Sequence, residues 1–112
     1  MLTIKGQETK TKILTDLKIH LQKNYGNSVK EVILFGSHAR GDSNDDSDYD
    51  ILILLEKDYS GQDENKILDL CYDIDLKYDI LLDVHLISKR EIASIRGRQP
   101  VFVNALKSGI YA

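Results

Sequence analysis

Two aspartates two residues apart, Asp48 and Asp50, open an apolar run, and their spacing is the first feature of this sequence that suggests chemistry. In an extended strand alternate side chains share a face, with Cα atoms about 6.5 Å apart, so both carboxylates can converge on a common cation. Two like charges so placed are costly without a partner, which a pair of magnesium ions would supply while also binding triphosphate oxygens. Such ions, about 3.5–4 Å apart, activate an attacking oxygen and steady a leaving one. A third carboxylate from another strand is usually wanted, and Asp83 stands alone among apolar neighbours in the run from Ile80 to Ile87. Ionised there, it needs a partner. Gly36-Ser37 supplies the features of a phosphate cradle. Glycine lets the backbone come close, while the serine hydroxyl and a helix amino terminus can donate to phosphate oxygens.

Each of these residues also has a plainer reading. Ser37 can cap a short helix, Asp48 can be a turn residue, and Asp83 can pair with Arg40. Arg40 itself serves equally well as a structural bridge or as a triphosphate contact. His85 shares the face of Asp83 and can touch a base or an acceptor, or simply pack at the rim of the sheet; His20 and His38 have weaker claims. Two competing motifs fail on position. Gly36 to Gly41 has the glycine spacing of a Walker A loop, but Asp42-Ser43 follows where Lys and Ser/Thr are required. Read as an EF-hand, Asp42, Asn44 and Asp46 would put Ser47 at the turn glycine and Ile53 at the bidentate glutamate.

The elements that must position these groups follow from periodicity. Ile13, Leu14, Leu17, Leu21 and Tyr25 recur at helical spacing, and Gly26-Asn27 stops that helix. Val29 to Phe35 reads as a strand running into Gly36-Ser37, with His38-Ala39-Arg40 as a short helical turn before the polar loop Gly41 to Ser47. Tyr49 to Leu55 is apolar on both faces beyond its first residues, so it belongs inside a sheet covered on each side. Ile67, Leu70, Cys71, Ile74 and Tyr78 mark another helix. In the third strand, Ile80 to Ile87, the residues Ile80, Leu82, Val84 and Leu86 make one apolar face and leave Asp83 and His85 on the other. Helical patterns return from Lys89 to Arg96, and from Pro100 through Leu106 to a stop at Gly109. The expectation is an α/β (α+β) domain, a small mixed sheet flanked by helices. Pattern alone leaves its strand order open.

Composition bounds the rest. The chain has 112 residues, 42% hydrophobic and 29% charged, with one proline. These values predict one folded domain over residues 1–112. No apolar run approaches the ~20 residues of a membrane span, and no signal segment follows the first residues, so a cytoplasmic protein is expected. Cys71 is the single cysteine and is expected in the core. Net charge is −3, but the segments 1–41, 42–83 and 84–112 carry +4, −11 and +4. The acids Asp42, Asp45, Asp46, Asp48 and Asp50 would repel phosphate unless cations bind among them, and strong nucleic-acid binding by a basic face is not expected.

Gly36-Ser37, ten residues, then Asp48-x-Asp50 resembles the signature of the nucleotidyltransferase superfamily that includes DNA polymerase beta. Gly-Ser-x-Ala-Arg-Gly followed by Ser-Asp-x-Asp and an apolar strand is similar to the small prokaryotic MNT proteins, and a looser likeness runs on from Ser88 to Ala112. The resemblance implies the nucleotidyltransferase fold, with Asp48 and Asp50 binding both catalytic metals and Asp83 completing the acceptor-side site. Gly36 and Ser37 would hold the triphosphate. Larger relatives carry extra domains for their acceptors, whereas MNT proteins typically pair with an all-helical HEPN protein. In that toxin–antitoxin pair MNT is the antitoxin and can transfer AMP to the toxin. The implied activity is Mg2+-dependent transfer of a nucleoside monophosphate, AMP from ATP, to a hydroxyl of a HEPN partner. The alternatives are an antitoxin that acts by binding alone and a small-molecule nucleotidyltransferase completed by homo-oligomerisation.

Overall fold

In the computed structural model, which describes residues 2–41, 48–94 and 96–112, helix and strand alternate along the chain. Helix α1 (Leu2–Asn24) leads to strand β1 (Val29–Phe35), a single helical turn α2 (Ser37–Arg40) and strand β2 (Tyr49–Leu55). Helix α3 (Gly61–Tyr78) then precedes strand β3 (Leu82–Ser88), and the short helix α4 (Lys89–Ile92) and a 3-10 turn (Arg96–Arg98) lead into α5 (Pro100–Ser108) and β4 (Ile110–Tyr111). The acidic loop residues Asp42, Asp45 and Asp46, to which the sequence assigns a phosphate-repelling charge, lie outside the described residues.

The four strands form one mixed sheet in the order β3-β2-β1-β4. β1 is antiparallel to both β2 and β4, while β2 and β3 are parallel. A parallel pair needs a crossover, and α3 provides it. Strand alternation then separates two cores. Val32, Leu34, Ile51, Ile53, Leu55, Leu82 and Leu86 meet Leu17 and Leu21 of α1 and Ile67, Cys71 and Ile74 of α3. On the other face Ile33, Leu52, Leu54 and Ile87 meet Phe102 and Ala105 of α5. β2 is thus covered on both sides, as its apolar run requires. Cys71 is buried, and burial pushes its thiol pKa up to about 12, so it is an inert core residue.

Local chemistry explains the boundaries. Gly26 takes φ +124° after α1, a conformation that ends a helix readily only for glycine. A capping box formed by Ser60 and Asp63 starts α3, and Asp79 closes it in the left-handed region. Here β3 differs from expectation, because Ile80 donates its N–H to the Asp75 carbonyl and so belongs to the end of α3. The strand begins at Leu82, whose N–H donates to Asp75 Oδ1 (3.0 Å). At its far end Ser88 N–H donates to Glu91 Oε1, half of a second capping box, and the Leu86 carbonyl accepts from Tyr59 Oη and Arg96 Nη2. The helical pattern expected from Lys89 to Arg96 is realised as α4, which stops at Ile92, and the separate 3-10 turn. The two-residue β4 is too short to carry a periodic signal.

Candidate active site

The ends of three strands meet at one corner of the sheet. β1 finishes at Phe35 opposite Asp50, and the parallel register sets Asp50 beside Asp83. Tyr49 N–H donates to the Leu81 carbonyl (2.9 Å), and Asp75 fixes the amide of Leu82, so the start of β3 is tied down on both sides of its backbone. Alternation puts Asp50, Asp83 and His85 on the face that carries α5. That helix packs on Ile33, Leu52, Leu54 and Ile87, and among the described residues Asp83 and His85 keep 53% and 32% of their side chains exposed. Asp50, Asp83 and His85 each offer a ligand atom, and these atoms lie within 4.8 Å of one another.

Electrostatics marks the same corner. Burial pushes the Asp50 carboxyl above its ordinary pKa; the charge of Asp83 and a hydrogen bond with Asp83 raise it further, Asp48 adds to the rise, and His85 opposes it. A divalent cation would reverse this unfavourable balance. The donor set of two carboxylates and an imidazole fits such an ion. Asp48, exposed and just before β2, stands outside the three-residue cluster, though near enough for its charge to act on Asp50. Of the expected acids, then, the structure brings Asp50 and Asp83 together and leaves Asp48 exposed outside that pair.

Gly36 closes the site from the β1 side. It takes φ +75° and ψ −154°, and a Cβ built there would run into the Asp50 carboxylate. Only glycine fits both constraints. Gly36 is also the N-cap of α2, which places Ser37 one position inside the helix; the expected alternative of Ser37 as a cap therefore does not hold. The Ser37 hydroxyl has no hydrogen-bond partner among the described residues. Arg40, in the last turn of α2, is exposed.

Two histidines with weaker claims turn out to be structural. His38 is buried and stacks on Tyr49 with ring centroids 3.7 Å apart and planes 9° from parallel, while its carbonyl accepts from Lys10 Nζ (2.8 Å). The stack fastens α2, and with it the Gly36-Ser37 turn, against β2. Its only sequence signal is an aromatic residue at the start of the next strand. His20 contacts Asp73 Oδ2 at 2.8 Å and bridges α1 to α3, far from the corner. His85 joins Asp50 and Asp83 in the cluster, and its signal in the sequence is the face it shares with Asp83.

A mixed sheet with this order, carrying paired aspartates beside a Gly-Ser turn, has the architecture of an enzyme that transfers nucleotides. Residues 14–111 match the nucleotidyltransferase domain model, and the chain belongs to that family. A Methanocaldococcus jannaschii protein named as a candidate protein adenylyltransferase is 33% identical over 89 residues, covering 80% of this chain and 83% of the relative. Protein adenylyltransferase MntA of Thermococcus cleftensis is 42% identical over 57 residues, 51% of this chain and 52% of its own. Among solved structures, an MntA–HpeT toxin–antitoxin crystal structure matches with a TM-score of 0.58 at 18% identity, over 87% of this chain and 69% of that one. That last likeness is one of fold. No helix among the described residues is long and apolar enough to cross a membrane.

Proposed function

We propose that this nucleotidyltransferase is a protein adenylyltransferase that moves AMP from ATP to a hydroxyl of a partner protein, acting as the antitoxin of a toxin–antitoxin pair whose toxin is of the HEPN class. The observation that supports the reading is the register that sets Asp50 beside Asp83, with Gly36 packed on the Asp50 carboxylate. The adenylyltransferase relatives and the toxin–antitoxin fold neighbour support the substrate and the partner.

In the reaction the acceptor hydroxyl oxygen bonds to the α-phosphorus, the bond from that phosphorus to the β-phosphate oxygen breaks, and pyrophosphate and a proton are released. Asp48, Asp50 and Asp83 would hold two Mg2+ ions, which supply charge neutralisation at the attacking and leaving oxygens when bound. The Gly36 backbone leaves room for the triphosphate, the Ser37 hydroxyl donates to its oxygens, and Arg40 contacts it from the end of α2. The open side of Asp83 faces the acceptor, and the half-covered sheet leaves space there for a chain from another protein.

The test is incubation with labelled ATP, Mg2+ and the product of the adjacent gene, followed by intact mass of both proteins. A gain of one or more AMP units on the partner is expected. Binding of the partner with no mass gain would instead establish an antitoxin that works by masking alone.

A further inference from the structure

His85 stands among the acids of the site, and the carboxylate chemistry leaves it without a role. It lies two residues beyond Asp83 on the same face of β3, in register with Leu52 of the neighbouring strand. Phe35 reaches across β2 to its ring, with centroids 5.6 Å apart and planes tilted by 54°, so the imidazole is held on its apolar side. Its Nε2 is 3.6 Å from Asp83 Oδ2, and it belongs to the group of ligand atoms gathered within 4.8 Å. That separation exceeds a hydrogen bond of ~2.7–3.2 Å. It suits two atoms on one ion, because ligands about 2.0–2.2 Å from a metal stand roughly 3–4.4 Å from each other. The other histidines are committed elsewhere: His20 to Asp73 and Asn24, His38 to its buried stack on Tyr49.

We propose that His85 is a third protein ligand of the ion held by Asp50 and Asp83, a nitrogen donor that shifts the site's preference from Mg2+ toward first-row transition ions. The inference rests on the metal-dependent reading above and deepens it. Mg2+ favours oxygen donors and gives up water reluctantly, so an imidazole adds little to its binding. First-row transition ions later in the series, such as Co2+, accept imidazole nitrogen more readily. A site with carboxylates alone would discriminate little between Mg2+ and these ions; one with His85 would take Co2+ with a selectivity that vanishes when the nitrogen is removed.

The test uses the full chain without nucleotide, titrated with Co2+ or Mg2+ by calorimetry and, for Co2+, by visible absorption. In His85→Gln and His85→Asn, whose folding is verified by circular dichroism, the Co2+ affinity is expected to fall at least about tenfold. The Mg2+ affinity should stay within roughly threefold. The Co2+-loaded wild type should show a contact-shifted imidazole N–H resonance that persists in His20→Gln and is lost in the His85 variants. Unchanged Co2+ affinity in both His85 variants, or an equal loss for the two ions, would overturn the proposal and leave the metal-dependent reading standing. Failure of the wild type to bind Co2+ would overturn this proposal alone, since Mg2+ can enter with the triphosphate, and loss of both ions in Asp50→Asn shows that the titrated site is the one described.

Discussion

Two acids on opposite sides of the sheet, Asp16 and Asp50, are held in opposite ways. Where α1 and α3 pack, the core is continuous, and Asp16 of α1 is clasped by the Tyr78 hydroxyl and by Lys77 Nζ (3.0 Å) of α3. These donors, Tyr78 first, hold its carboxyl below the ordinary range. On the α5 face the cover stops short, and Asp50 is raised by burial and by Asp83. Asp16 is satisfied by donors from within the protein. The open face leaves carboxylates side by side in a condition that a cation from outside would relieve. A charge cluster that the fold itself does not satisfy is what separates a ligand site from a structural ion pair.

The sharpest way to break this contrast is to neutralise one acid on the open face. Asp50→Asn should lower nucleotide transfer about a thousandfold, a loss of ~4 kcal/mol of transition-state stabilisation, while the circular dichroism spectrum is unchanged. A variant with near-normal transfer by intact mass would remove Asp50 from the reaction. On the covered face the expected cost is one of stability. Leu17 is fully buried, and Leu17→Ala should lose about 2–5 kcal/mol in urea unfolding, with transfer preserved in the fraction that remains folded.

Smaller effects sharpen the site itself. Ser37→Ala should weaken ATP binding by ~1.5–3 kcal/mol with an unaltered melting temperature, because Gly36 and not Ser37 occupies the capping position. Unchanged ATP affinity would sink the phosphate role of the serine. Gly36→Ala should instead cost about 1–3 kcal/mol of folding stability through its backbone conformation, in addition to displacing Asp50.

The finest test sets the two acids against pH in metal-free protein. Asp16 has a depressed pKa, so its stabilisation is present above the unfolded-state value and disappears as pH falls through the folded one. Asp16→Asn should therefore be less stable than wild type near neutrality and converge with it in acid. Asp50 has a raised pKa, so its cost is present at neutral pH and is relieved as pH falls through that raised value. Asp50→Asn should accordingly be more stable than wild type near neutrality, and the gain should close in acid. Thermal melts of both variants across the acid range with a chelator present should give differences of opposite sign; shifts of the same sign would end the contrast.

Much of this architecture was legible beforehand, for reasons that differ by element. β1 and β2 were readable to the residue because apolar runs ended at Gly36 and began after Asp48. The first helix was visible only from Ile13, where its apolar stripe begins, although α1 extends back to Leu2 through polar residues. β3 was placed too early because Ile80 keeps the apolar alternation while its amide serves the end of α3. Strand order depends on long-range pairing, which one sequence does not encode in any local pattern. The site was half legible. The shared face of Asp83 and His85 follows from alternation, but the adjacency of Asp50 and Asp83 is a matter of register between two strands. The reason for Gly36 was seen as room for phosphate, and the contact with Asp50 emerged only in three dimensions.

One consequence concerns how this sheet ends. A border strand normally offers a ladder of free amides and carbonyls to any passing strand. Along the outer margin of β3 three of those groups are already engaged: the Leu82 amide by Asp75, the Leu86 carbonyl by Arg96 and Tyr59, and the Ser88 amide by Glu91. A second molecule could extend the sheet there only by displacing these side chains at both ends and the middle of the strand. Strand addition on the margin nearest the acids therefore has to compete with side chains that already hold three of its backbone groups.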